Sequence, residues 1–432
     1  MARNKQTQNI PIPLEQQPFR LPENWQWVRL GEIVFNRGQM QPQSDFCYID
    51  IGSIDNINQK LNNTENIVSA KNAPTRARKI VDMGDILYST VRPYLHNMCI
   101  IDRKFSLQPI ASTGFAVMTC HNMIFNKYLF YYLLSHYFDL YANDTENSKG
   151  ISYPAINDKR LYNAPIPLPP LVEQKRIVEK IEQLFTQLDQ AAEKLTAVID
   201  GFELRKTAIL HKAFTGELSK QWRMKNNLNL NDWQNLTLND IAEYKKGPFG
   251  SSITKSMFVP KGNHTYKVYE QGNAIRKTVH YGTYYINEQK FNELKNFAVQ
   301  ANDIIISCAG TIGEVYKLPQ DCEIGVINQA LMRVRVYSNT EEKFFIYYFG
   351  EMIKDNVIKQ SNGTAIKNIP PFKIMKAMSI KLPPLSEQKE IVRILDNLLT
   401  QEQNAKQQAE DALQKIALIK KAILAQAFRG EL

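Results

Sequence analysis

Cysteine is scarce in this 432-residue chain: Cys47, Cys99, Cys120, Cys308 and Cys322 lie far apart and form no CxxC pair. That excludes paired-thiolate zinc sites and dithiol redox motifs, and it suits buried thiols in a reducing compartment. HExxH is missing, so the commonest helical zinc-protease arrangement is excluded. No glycine-rich loop ends in GK[ST]; "KGPFGSS" from Lys246 has the glycines without the phosphate-binding lysine. GxSxG is absent, and the six histidines sit in no triad-like setting. Long hydrophobic runs are missing too. The most apolar stretch, "MIFNKYLFYYLLSHYF" from Met123, is broken by Asn126, Lys127, Ser135 and His136 and is too short to cross a bilayer. It predicts an aromatic-rich core helix. The opening "MARNKQTQNIPIPLEQQPFRLPENW" has no apolar core of signal-peptide length, and the expected location is cytoplasmic.

One catalytic near miss remains. "NIPPF" at Asn368–Phe372 resembles the Asn/Asp-Pro-Pro-aromatic motif of amino-methyltransferases. There the polar residue directly before the prolines accepts a hydrogen bond from the target base. Here that place holds Ile369, which has no acceptor. The segment therefore reads as a proline-containing loop leading into a helix. Taken together, the absences argue for a binder, not a catalyst.

What is present is an uneven excess of positive charge. The formal net charge is +10. Residues 1–164 carry 17 basic and 14 acidic side chains, and residues 219–380 carry 21 and 14. Residues 165–218 (7 and 8) and 381–432 (8 and 7) are nearly neutral. An anionic partner is favoured, and the two long segments are where it belongs.

The two near-neutral segments say almost the same thing. Leu168–Leu218 aligns with Leu382–Leu432 at a constant offset of 214, without a gap, with 23 of 51 positions identical. Self-similarity of that length marks a duplicated structural unit. Each copy reads as one long helix. Ile177, Ile181, Leu184, Leu188, Ala191, Leu195, Val198 and Phe202 form an a/d seam, and Pro169 and Pro170 stand just before it. The second copy keeps Ile391, Leu395, Leu398, Ala405, Ala409, Ala412 and Ile416, and Glu402 interrupts that seam. A helix of about 43 residues at ~1.5 Å per residue is a rod of roughly 65 Å.

The long segments echo each other more faintly. "NWQWVRLGEI" from Asn24 parallels "DWQNLTLNDI" from Asp232; "GDILYSTVRP" from Gly84 parallels "NDIIISCAGT" from Asn302; "KGISYPAI" from Lys149 parallels "NGTAIKNI" from Asn362. The predicted class is α/β (α+β). Two mixed α/β domains, 1–164 and 219–380, alternate with helical regions 165–218 and 381–432. The rods are predicted to pair antiparallel about a pseudo-twofold axis.

These motifs resemble the specificity subunit of type I restriction-modification enzymes. "LPENWQWVRLGEI", "LPPLVEQKRIV" and "LPPLSEQKEIV" are like that family's domain-opening and rod-opening motifs, and "KKGPFGSSITKSMF" and "SCAGTIGEVYKL" are like motifs of its target-recognition domains. The resemblance implies two target-recognition domains, each reading one half of a split, asymmetric double-stranded DNA site. It implies rods that set the gap and dock two methyltransferase subunits, joined by restriction/translocase subunits. It also implies no catalysis in this chain, with S-adenosylmethionine, ATP and Mg²⁺ belonging to the partner subunits of a bacterial or archaeal system. The alternative from the residues is a stand-alone bipartite DNA-binding protein; a self-contained methyltransferase lacks a recognisable cofactor loop.

Base readout needs cationic, amide or hydroxyl side chains on loops. In the second recognition segment the candidates are Lys245, Lys246, Ser251, Ser252, Lys255, Thr311, Asn362, Thr364 and Lys367. In the first they are Arg76, Arg78, Lys79, Arg92, Tyr94, Lys149, Ser152 and Tyr153. For partner docking the candidates are the matched rod ends: Glu173, Gln174, Lys175 and Phe214 with Glu387, Gln388, Lys389 and Phe428. No metal or catalytic residue is expected.

Overall fold

The computed structural model describes residues 12–144, 155–353 and 369–432. The chain divides into two compact units, Met1–Thr196 with Ala409–Leu432, and Ala197–Gln408. Each contains a sheet-rich region and stretches of both long helices, so the fold is mixed α/β.

In the first unit, strand Gln26–Arg29 pairs antiparallel with Pro165–Leu168. One four-stranded sheet runs Val34–Phe35, Phe115–Cys120, Ile86–Ser89, Met98–Ile100; a second runs Ile67–Val68, Phe46–Ile49, Pro109–Ser112, Ala77–Ile80. The middle pair of the second sheet is parallel. In the second unit, Gln234–Thr237 pairs with Ser379–Leu382. Its sheets run Ala242–Lys246, Leu331–Val336, Ile304–Ser307, Val315–Lys317, and Tyr285–Asn287, Thr265–Tyr269, Gly325–Ile327, Ala298–Val299, again with a parallel middle pair. Strand order and direction agree sheet by sheet. The two apolar strands expected after Gly84 and Asn302 occupy the same place, and all four residues of each are buried. Such uniform burial suits β-branched and large aliphatic side chains in a strand covered on both faces.

The central rod is not one unbroken helix. It runs Leu171–Asp200 and resumes at Phe202–Phe214, with Gly201 between. Glycine is a poor helix-interior residue, and a Cβ here would stand 2.5 Å from the Arg205 guanidinium. That guanidinium reaches back to the Val198 carbonyl at 2.8 Å. The C-terminal rod is continuous over Leu385–Arg429, 45 residues.

Within each unit the rod segments run antiparallel. In the first unit Arg176 donates to the Leu432 carbonyl at 2.7 Å, and Lys420 meets Asp189 at 2.5 Å. Ile177, Val178 and Ile181 share a core with Ile423, Leu424, Ala427 and Phe428. In the second, Arg205 pairs with Glu402 at 2.7 Å, and Leu210, Ala213 and Phe214 share a core with Ile391, Val392 and Leu395. Glu402, the break in the apolar seam, is therefore one half of an ion pair across the rods.

The aromatic run from Met123 is two helices, Asn126–Leu133 and His136–Asn143, because the Ser135 hydroxyl caps the second by accepting from the Phe138 amide at 3.4 Å. Tyr128 and Tyr132 donate from their hydroxyls to the Pro167 and Pro165 carbonyls at 3.0 and 3.1 Å. That fastens the two-stranded ribbon to the rod end, where both rings pack edge-to-face on Phe428 at 5.3 and 5.1 Å. Phe344 and Tyr348 treat Phe214 alike, at 5.4 and 5.2 Å. Among the described residues no helix is long and apolar enough to cross a membrane.

Candidate nucleic-acid interface

In the second unit, three loops meet at one end of the sheet that contains Ile304–Ser307. Strand Ala242–Lys246 ends beside the start of Leu331–Val336, with Lys246 opposite Met332, and Ser307 lies opposite Leu331. The chain leaving Lys246 is pressed onto residues 328–329. The Gly247 amide donates to the Leu331 carbonyl at 2.9 Å, and a Cβ on Gly247 would lie 1.9 Å from the Asn328 carbonyl oxygen. Only glycine fits this close approach. The loop after Ser307 joins at the same place: the Cys308 amide donates to the Ala330 carbonyl at 2.7 Å, and its carbonyl accepts from the Ile369 amide at 3.1 Å. Burial pushes the Cys308 thiol up to about 12, which leaves it an inert packing group.

This geometry brings Lys246, Ser251, Ser252 and Thr311 to one edge. Lys246, Ser251 and Thr311 are exposed, Ser252 half-buried. Lys245 is also half-buried, its ammonium 5.3 Å from the Phe297 ring centre. Lys255 is exposed, in the turn that follows. From Tyr244 to Tyr269 there are five lysines and no acidic residue.

In the first unit the equivalent end is built from Thr90–His96, Thr113–Gly114 and Ala155. The Thr90 amide donates to the Gly114 carbonyl at 2.9 Å, Val91 bridges Ala155, and the Thr113 amide donates to the Arg76 carbonyl at 2.8 Å. Arg76 and Arg92 thus share an edge, with Tyr94 half exposed beside them. Arg92 has φ +49°, in the left-handed region, and Gly310 holds the equivalent position with φ +65°. An arginine in a conformation suited to glycine is strained, and such strain concentrates at functional positions.

The basic cluster of "PTRARK" is corrected. Arg76 is exposed, but Ala77–Ile80 is a strand whose alternation sends Ala77 and Lys79 inward; Lys79 is only 5 % exposed. Arg78 is half-buried, turned onto its own neighbour's carbonyl at 2.8 Å. Lys149, Ser152, Tyr153, Asn362, Thr364 and Lys367 lie outside the described residues.

The rod-end candidates divide sharply. Gln174 is fully buried: its Oε1 accepts from the Phe125 amide at 2.7 Å, and its Nε2 donates to the Met123 and Pro169 carbonyls at 3.0 and 2.9 Å. Gln388 repeats this with the Glu341 amide (2.7 Å) and the Asn339 and Pro383 carbonyls (3.0 and 2.8 Å). Phe214 and Phe428 are buried in the aromatic packing already described. Glu387 is fully buried too; it accepts from Arg223 and Ser219 at 2.5 and 2.7 Å through one oxygen and from the Trp233 indole at 3.0 Å through the other. These five side chains join each rod to its own unit, so their surfaces are not open to another protein. Glu173 is half-buried and tied to Arg176, whose guanidinium holds its carboxyl below the usual range. Lys175 and Lys389 are exposed.

Glutamines also stand at these edges, and no sequence motif marks them. Gln329 is exposed, its Nε2 3.8 Å from where a Cβ on Gly250 would stand, and Gln271 is similarly placed against Gly310. In the first unit, Gln41 and Gln43 are exposed in the loop that follows Gly38. Glutamine matches adenine's edge bidentately, but carrying no charge it escapes a search for basic clusters. Among the described residues no cluster of His, Cys, Asp and Glu is placed to hold a metal ion.

A family model described as type I restriction modification DNA specificity domain matches residues 22–199 and again 231–414. The chain belongs to this family. The two matches put one specificity domain on each of the repeated sheet regions. The chain is 24% identical over 324 residues to the type I restriction enzyme EcoBI specificity subunit of Escherichia coli; that alignment covers 71% of this chain and 66% of the relative, just under two thirds. It is 25% identical over 448 residues to the EcoKI specificity subunit of Escherichia coli K12, covering 96% of this chain and 90% of the relative. The crystal structure of the HsdS subunit from Thermoanaerobacter tengcongensis superposes with TM-score 0.70 and 26% identity, covering 97% of this chain and all of that one.

Proposed function

We propose that this chain is the non-catalytic DNA-specificity subunit of a type I restriction-modification system, and that its two recognition domains (1–164 and 219–380) each read one half of a bipartite, asymmetric site. One observation carries the reading: the same loop cluster is built twice, at the same end of the same four-stranded sheet, with different side chains exposed on it. Two unlike readers on one plan suit two unlike half-sites. Arg76, Arg92, Tyr94, Lys246, Ser251, Ser252, Lys255 and Thr311 make contacts at these edges, phosphates outnumbering bases. The helical regions 165–218 and 381–432 are the spacer, and exposed Lys175 and Lys389 face two methyltransferase subunits. Those subunits bring S-adenosylmethionine; restriction/translocase subunits bring ATP and Mg²⁺. The protein works in the cytoplasm of its cell.

The test is modified-base sequencing of DNA from cells expressing the chain with its neighbouring methyltransferase. A split, asymmetric methylated motif with a constant gap is expected; unmodified DNA, or a single contiguous motif, overturns the reading. One heptad inserted after Leu195 lengthens the rod by ~10 Å. The gap should then grow by roughly one to three base pairs (~3.4 Å each along B-DNA) with both half-sites unchanged. A purified chain that binds the full site tightly without partners favours a stand-alone binder instead.

A further inference from the structure

The loop Gly247–Ile253 carries more exposed apolar surface than its own packing explains. Phe249 is 86 % exposed, the highest value among the large apolar side chains described. It is not at the end of a loose tether. On one side Gly247 is locked against Asn328, and Pro248 is buried. On the other, the Ser252 amide donates to the Phe249 carbonyl at 2.8 Å, and Ile253 is buried in a core with Val268 and Ile286. A pinned loop therefore presents an uncovered ring at its apex. Exposed Lys246 precedes the loop and exposed Ser251 follows the ring within it, Gln329 stands beside Gly250, and the stretch from Tyr244 to Tyr269 carries no negative charge. A protein partner of ordinary composition brings no special complement to that setting. A polyanion with flat apolar faces inside it does.

We propose that Phe249 is a DNA wedge: its ring enters a base step of the half-site read by this domain and opens the stack, while Lys246 and Ser251 hold the flanking phosphates. The inference rests on the DNA-reading role proposed above. Apolar side chains inserted between base pairs unstack and kink a duplex, and a pinned loop meets the requirement that the wedge be stiff. The device is one-sided. The corresponding loop of the first unit, after Gly38, exposes Gln41 and Gln43 and no aromatic ring. Opening of the stack should therefore occur in one half-site only.

The test uses the full chain with the methyltransferase subunits that co-purify with it, without S-adenosylmethionine. Duplexes of the recognised site carry 2-aminopurine at each position in turn, the methylated adenines excepted. Binding of the unaltered protein should raise emission at one step of one half-site. Phe249→Ala should remove that rise and weaken binding about 10- to 100-fold, and Phe249→Trp should keep both. An unchanged melting temperature for Phe249→Ala, expected from the exposure of the ring, separates these effects from misfolding. Unaltered affinity in Phe249→Ala, emission that persists in it, or no rise at any step with the unaltered protein overturns the wedge. So does loss of methyltransferase co-purification with DNA affinity intact, which would place the ring on a protein partner. If the unaltered complex binds no DNA, the DNA-reading role itself falls, a result distinct from all of these.

Discussion

The two units solve one interior problem in two ways. Asp85 and Asp303 stand at equivalent places before the central strand, both nearly fully buried. Each accepts from the amide three residues earlier, at Asp82 and Gln300. Asp303 is then neutralised by Arg335 on the neighbouring strand at 2.5 and 2.8 Å. The equivalent of Arg335 in the first unit is Thr119, which gives Asp85 only a hydroxyl at 2.7 Å; the guanidinium comes instead from Arg37, beyond the edge strand. A buried carboxylate needs a paired charge, but not from a particular strand. What the fold requires is the pairing, and the surface that supplies it is free to change.

Matched sequence positions therefore need not carry matched energies, and the sharpest break in the comparison is at the matched rod-end pair Glu173 and Glu387. Glu387→Ala leaves Arg223 buried and unpaired and should cost about 3–5 kcal/mol, seen as a large fall in the urea midpoint. Glu173→Ala, at the same place in the other rod, loses only a half-exposed pair and should shift stability by less than about 0.5 kcal/mol. Equal losses would mean that the two sites are buried alike. Gln174→Ala and Gln388→Ala, by contrast, should each cost about 2–3 kcal/mol, because each strands a buried amide and two carbonyls; unequal losses would break the equivalence of the two clamps. The smallest effect concerns the charged edge. Lys246→Ala should lower the slope of log affinity against log salt by about 0.9 with the recognised sequence unchanged, measured by anisotropy over a salt series. A changed sequence preference would make Lys246 a base reader.

The rods were legible in the sequence because an in-phase duplication and an apolar seam depend only on local spacing. The paired strands at Ile86 and Ile304 were legible for the same reason. The surroundings of Glu387 were not: Arg223 and Trp233 lie 164 and 154 residues away in the chain, and no local pattern announces them. Lys79 misled because a cationic run looks like surface until strand alternation turns every second side chain inward. The seam's apparent flaw at Glu402 was visible, but its partner Arg205, 197 residues distant, was not.

That pair decides how the two helices line up. Helices joined by greasy side chains alone tolerate sliding past each other by a whole repeat, since one leucine replaces another. A carboxylate and a guanidinium set part-way along the seam oppose that freedom, because a slip of one repeat separates Glu402 from Arg205. The alignment is thereby keyed to a single setting, and a second ion pair across the rods, Lys420 with Asp189, holds the same setting in the other unit.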